Sequence, residues 1–191
     1  MLQPVGVRHD ASRPSMLAVG TMVWLASELM FFSGLFAAYF ALRSAASTWP
    51  PEGVELNALR GGLFTVVLVA SSGTMQLAVW AAERGDRSRA RRWILVTAAM
   101  ALVFIANQAS EWLSLDFTPS THAYGSVFYL LTGFHGLHVL GGVVAMGALL
   151  GRLATTADDP GAVPVTQVIG YYWHFVDVVW LAVFATVFLV R

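Results

Sequence analysis

The chain has 191 residues, 57% of them hydrophobic and 12% charged, with 11 basic and 11 acidic residues and a mean hydropathy of +0.66. That balance belongs to a membrane protein. It leaves no basic surplus for a nucleic-acid partner, and the absence of cysteine excludes a disulfide framework, a zinc ribbon, an iron–sulfur cluster and a thiolate copper site.

Five apolar blocks of bilayer-crossing length predict an all-α integral membrane bundle of five transmembrane helices, with residues 1–191 as a single domain. The first, Met16–Leu42, carries WLASELMFFSG and places Glu28 near its midpoint. It is too long for a signal-peptide core, and Met1–Pro14 lacks the basic run that precedes one, so it reads as a helix that stays. The second, Leu63–Ala82, contains the polar belt SSGTMQ (Ser71 to Gln76), which must meet a neighbour rather than lipid. The third, Trp93–Ser110, is bracketed by Trp93 and Trp112, a separation that at about 1.5 Å per residue matches the roughly 30 Å hydrocarbon core. Asn107, Gln108 and Glu111 lie at its outer end. The fourth, Ser126–Leu150, holds His135 and His138 within TGFHGLHVLGG. Gly133, Gly136, Gly141, Gly142, Gly147 and Gly151 mark it as a helix that packs closely. The fifth, Ile169–Val190, holds His174 and Asp177 in YYWHFVDVVW.

Arginine sets the predicted orientation. The loop ERGDRSRARR carries Arg84, Arg87, Arg89, Arg91 and Arg92, and the positive-inside bias places it in the cytoplasm. With an odd number of spans, the N-terminus (Arg8, Arg13) and the loop with Arg152 are also inside. Arg43, Arg60 and the C-terminal Arg191 are outside. The outer connections, SAASTWPPEGVELN and LDFTPSTHAYG, read as solvent-facing links.

An ionised group at membrane depth costs about 2.5–3.5 kcal/mol on insertion scales, so Glu28, Glu111, His135, His138, His174 and Asp177 each call for an explanation. His135 and His138 are three residues apart, as are His174 and Asp177, which places each pair on one helix face. Three readings are open. Five histidines, with His9 and His122 outside the spans, are too few for a haem-copper centre, but a haem between His138 and His174 or a non-haem site from Glu28, His135, His138 and Asp177 is chemically allowed. A proton-coupled transporter would use intramembrane acids and imidazoles, although five spans do not divide into inverted repeats and none is broken by a mid-helix proline. In the third reading the groups pair with one another and lock helices inside a larger complex.

WLASELMFF, QASEW, YGSVFYLLTGFHGLHV and YYWHFVDVVW resemble, in order and at similar separations, the signatures of subunit III of the haem-copper cytochrome c oxidases, from Gly20 to the C-terminus. The most specific feature is GFHGLH followed by WHFVDVVW. The resemblance implies a non-catalytic core subunit of a multi-pass bacterial plasma-membrane complex, without catalytic residues, metal ligands or cofactor of its own. Haem and copper would belong to partner subunits. Subunit I would be the direct partner, subunit II and other respiratory subunits would share the complex, and bound phospholipid, support of proton uptake and protection during turnover would be its contribution. Glu28 matches the family's buried, carbodiimide-reactive carboxylate, Glu111 the glutamate of its QA-x-E motif, and His135, His138, His174 and Asp177 the GFHGLH and WHFVD pairs. Longer members carry two further N-terminal helices. This sequence resembles the short five-helix form, so their V-shaped lipid cleft does not carry over intact. Related subunits serve quinol oxidases and nitric oxide reductases; Glu28 with YYWHFVDVVW leans toward cytochrome c as donor. The expected arrangement has His135 and His138 as hydrogen-bonding groups on a glycine-lined face, partnered by Glu28. Glu28 and His138 each lie about twelve residues from an inner helix end, and at about 1.5 Å per residue both fall near the midplane.

Overall fold

The computed structural model describes residues 16–155 and 161–190; Arg8, His9, Arg13 and Arg191 lie outside them. Among the described residues the fold is α1 (Met16–Ala45), α2 (Ala58–Glu83), α3 (Arg87–Ser114), α4 (Ala123–Thr155) and α5 (Ala162–Phe184), the last continuing as a π-helical segment, Ala185–Leu189. All five helices are long and apolar enough to cross a membrane, and no strand accompanies them among the described residues.

The helices are longer than the apolar blocks that predict them. The Asn57 side chain accepts from the Arg60 N–H at 2.9 Å and starts α2 ahead of Leu63; Asp86 accepts from the Arg89 N–H at 2.9 Å and starts α3 ahead of Trp93. In α5, Pro164 sits in the first turn, where a missing N–H leaves no bond unmade. Hydropathy reports depth in the bilayer, whereas the helical backbone runs on until caps and water take over its terminal groups. Glu111 therefore lies within α3 and not beyond its end.

α2, α3, α4 and α5 form a ring in which α2 touches α3 and α5, and α4 touches the same two; α1 lies outside, against α4 and α5. Trp173 and Trp180 on α5 are fully buried, whereas α1 buries Thr21, Phe32 and Tyr39 alone. The glycines of α4 explain how it approaches so large a partner surface. A Cβ on Gly142 would stand 2.6 Å from the Trp173 ring, one on Gly141 would stand 3.4 Å from the Tyr172 hydroxyl, and one on Gly133 would stand 3.4 Å from Trp112. Gly136, Gly147 and Gly151 would meet nothing within 4 Å, so the predicted six-glycine packing face is three close contacts and three open positions.

At the C-terminal end of α5 the π-helical turn shifts carbonyls out of the α pattern, and aromatic hydroxyls meet them. Tyr39 donates to the Thr186 carbonyl at 3.1 Å and Tyr124 to that of Val187 at 3.5 Å, while Trp49 Nε1 donates to the Tyr39 hydroxyl at 3.0 Å. Trp49 and Leu56 come from the α1–α2 connection and Phe117 from the α3–α4 connection, the two expected on the outer side. Leu56 and Phe117 are buried, so these links fold down onto the bundle where the sequence suggested solvent-facing turns. Their apolar residues cover the aromatic floor that polar neighbours had masked in the sequence.

Candidate functional site

The α1–α4 contact carries the first polar pair. Glu28 Oε2 lies 3.1 Å from His138 Nε2, and His138 Nδ1 lies 2.7 Å from the Phe134 carbonyl. A carbonyl only accepts, so Nδ1 must carry the proton of that bond. Nε2 then accepts from a protonated Glu28, or the ring is cationic and donates to a carboxylate. Either arrangement has no net charge, which is what membrane depth favours. The side chains of His138 and Glu28 are 16% and 23% exposed, placing the pair at the rim of the contact and not sealed inside it. Tyr172 donates to the His138 carbonyl at 2.7 Å and stacks on Trp24, tying α5 to both helices.

His135 takes a different path, and the expected shared partnership with Glu28 does not form. Three residues correspond to about 60° around the helix at 3.6 residues per turn. That turn carries His135 away from α1 and into the ring, where it is fully buried against Trp180 and Phe104, with ring centroids 4.7 and 5.9 Å away. Neither of its nitrogens has a hydrogen-bond partner.

His174 and Asp177 share a neighbour on α2. The Ser72 hydroxyl donates to Asp177 Oδ2, His174 Nδ1 lies 3.0 Å from Ser72 Oγ, and His174 Nε2 lies 3.1 Å from Gln76 Oε1. With the hydroxyl proton directed to Asp177, Nδ1 must be protonated for its contact to be a hydrogen bond. Asp177 is buried with Oδ1 unpartnered, whereas His174 is half-buried. The rest of the belt is divided between two helices: Trp173 Nε1 donates to Ser71 at 2.9 Å, and the Thr74 and Thr97 hydroxyls are 2.7 Å apart across α2 and α3. The belt signalled that polar neighbours existed; which residues they were could not be read from it.

Glu111 is buried near the C-terminal end of α3. Arg60 is anchored by Nε to Asn107 Oδ1 at 2.7 Å and by Nη2 to Ser110 Oγ at 3.0 Å. His122 accepts the Gly125 N–H at 2.8 Å and so serves the start of α4.

The six polar residues thus occupy four separate places. The side chains a non-haem site would need are divided among the α1–α4 rim, the ring interior and the α2–α5 contact, and His138 and His174 face different helices. Among the described residues no group of three or more His, Asp or Glu side chains comes together as a ligand set. What the arrangement does is join helices: α1 to α4, α2 to α5 and α2 to α3. Glu28→Gln is expected to preserve the α1–α4 bond through an amide donor and leave assembly intact, while Glu28→Ala should cost about 0.6 kcal/mol, an average intramembrane hydrogen bond. The yield of assembled protein from membranes, compared across the two variants, checks this; equal losses would make the carboxyl itself indispensable.

The sequence model of the family described as "Cytochrome c oxidase subunit III" matches residues 5–190. A protein of Nocardia farcinica named "Probable cytochrome c oxidase subunit 3" is 50% identical over 187 residues, covering 96% of this chain and 92% of the relative. The "Cytochrome c oxidase subunit 3" of Corynebacterium diphtheriae is 41% identical over 186 residues, covering 94% and 91%. That of Thermostichus vulcanus is 34% identical over 189 residues, covering 97% and 92%.

Proposed function

Because this chain belongs to the cytochrome c oxidase subunit III family, it is a subunit of an oxidoreductase complex of the respiratory chain, and we propose that it serves there as the scaffold beside the catalytic subunit. In this reading subunit I, bearing haem and copper, is its direct partner, and subunit II and other respiratory subunits share the complex. Cytochrome c is the electron donor. The observation that carries it is the use made of the intramembrane polar groups. Glu28 with His138, and Asp177 with Ser72 and His174, hold helices of this chain to one another.

The surface supports the same reading. Met22, Val23 and Met30 on α1 are 54%, 67% and 76% exposed, a face suited to lipid and partner helices. The arginine-rich α2–α3 loop sits on the cytoplasmic side of the bacterial plasma membrane, with the N-terminus inside and the C-terminus outside. Residues 1–191 act as one unit, which holds phospholipid against the complex, sustains proton uptake into subunit I and protects it during turnover.

Affinity purification of the tagged chain from detergent-solubilised membranes tests this directly. A haem-bearing subunit should co-purify in fixed ratio, and a complex lacking the chain should start at a similar rate yet lose activity after fewer turnovers. A chain that emerges alone, or that supports substrate flux in liposomes by itself, would overturn the reading in favour of a transporter.

A further inference from the structure

The inner ends of α2 and α3 flank an open pocket of about 480 Å³ lined by Leu77, Arg84, Arg89, Arg92, Trp93 and Val96. Arg89, Arg92, Trp93 and Val96 stand at i, i+3, i+4 and i+7 on one face of α3, and Leu77 on α2 lies seven residues before Arg84, which caps the C-terminal end of that helix. The two helices, joined by the tight turn at Gly85 and Asp86, therefore place Arg84 and Arg89 at the loop end, Arg92 one turn deeper, and Leu77 and Val96 about 10 Å from Arg84 and Arg89 respectively, at about 1.5 Å per residue. Trp93, half-buried, stands between Arg89 and Val96 along α3, where its ring has an apolar body and a polar N–H.

Among the described residues the charge at the mouth is not balanced. Asp86 pairs with Arg89 at 3.4 Å, both side chains about half exposed, and among the described residues the guanidiniums of Arg84 and Arg92 have no hydrogen bond or ion pair. Three guanidiniums, one acid and a deeper apolar wall are the features of an amphiphilic anion. We propose that this pocket binds an anionic glycerophospholipid, its phosphate on Arg84, Arg89 and Arg92 and its upper acyl chain along Leu77, Trp93 and Val96. The guanidinium fork suits phosphate oxygens. An inorganic phosphate would leave the apolar wall unused, and a zwitterionic headgroup would bring its own ammonium against the three cations. The inference names a particular site for the lipid binding contained in the proposed function, and rests on that reading.

The test is lipid extraction and mass spectrometry of the purified complex, counting phospholipid per copy of this chain. The triple variant R84Q/R89Q/R92Q should lose one anionic phospholipid and keep the zwitterionic ones. On titration with phosphatidylglycerol in detergent, each neutralised arginine should weaken retention about fivefold. Because these arginines also set topology, Leu77→Trp is the independent variant: it fills the deep half of the pocket with every charge in place, and should lose the same lipid. R84K/R89K/R92K should retain it. Unchanged anionic lipid in both the triple glutamine variant and Leu77→Trp would overturn the site while leaving general lipid binding standing. Displacement of the lipid by inorganic phosphate alone would make it an ion site and overturn it too. A wild-type complex carrying no phospholipid would overturn both readings.

Discussion

Replacing Gly142 by leucine is expected to push α4 off α5 and to remove most of the assembled protein from membranes. Even a Cβ at this position would stand 2.6 Å from the Trp173 ring, and that ring is fully buried with its Nε1–H bonded to Ser71 on α2. The ring cannot swing aside without breaking that bond, so the backbone must move. Overpacking of this kind costs about 1–3 kcal/mol for a few added methylenes, and the alanine variant should fall in that range with leucine beyond it. Gly147 on the same helix is the control, because a Cβ there meets nothing within 4 Å of this chain; Gly147→Ala should stay within about 0.5 kcal/mol of wild type. Thermal unfolding of the purified complex ranks the three. If Gly142→Ala proved as mild as Gly147→Ala, the close α4–α5 contact would not be what holds the two helices.

Trp180→Ala should produce the other large loss. Trp180 is 2% exposed, its ring centroid lies 4.7 Å from those of both Phe104 and His135, and its Nε1–H donates to Thr65 Oγ1 at 2.9 Å. One side chain of α5 thus touches α3, α4 and α2. Removing such a ring from a water-soluble core costs about 3–5 kcal/mol. Separated helices here face lipid instead of water, so the transfer part of that cost is reduced and the cavity part remains; about 3 kcal/mol is expected. Trp180→Phe keeps most of the contact surface and loses one hydrogen bond, about 0.6 kcal/mol in a membrane interior, so it should be much milder. Equal unfolding temperatures for the two variants would show that the ring's volume is not what joins the three helices.

These two positions also mark where one-dimensional reading stops. Trp173 and Trp180 are two aromatic residues in an apolar run, and nothing in the run says that one meets a glycine and the other a histidine. Gly133, Gly136, Gly141, Gly142, Gly147 and Gly151 look alike in sequence, yet three receive a neighbouring side chain and three do not. The outer connections read as polar turns because proline, serine and acids outnumber Trp49, Leu56 and Phe117, the residues that hold them down.

The sequence by itself determined that five helices cross a bilayer, because hydrocarbon leaves every backbone polar group to be satisfied within its own segment and the length of the apolar run then sets the crossing. It also determined the family, through motifs spread along nearly the whole chain. The tertiary structure alone decided which of the two histidines expected beside Glu28 meets it: His138 does, while His135, about 60° away around the same helix, enters the aromatic interior. It likewise decided that Ser72 stands between His174 and Asp177. Partners across helices depend on relative rotation and axial offset, which are set by large side chains seating against small ones, and neither quantity is a property of any single residue in the row.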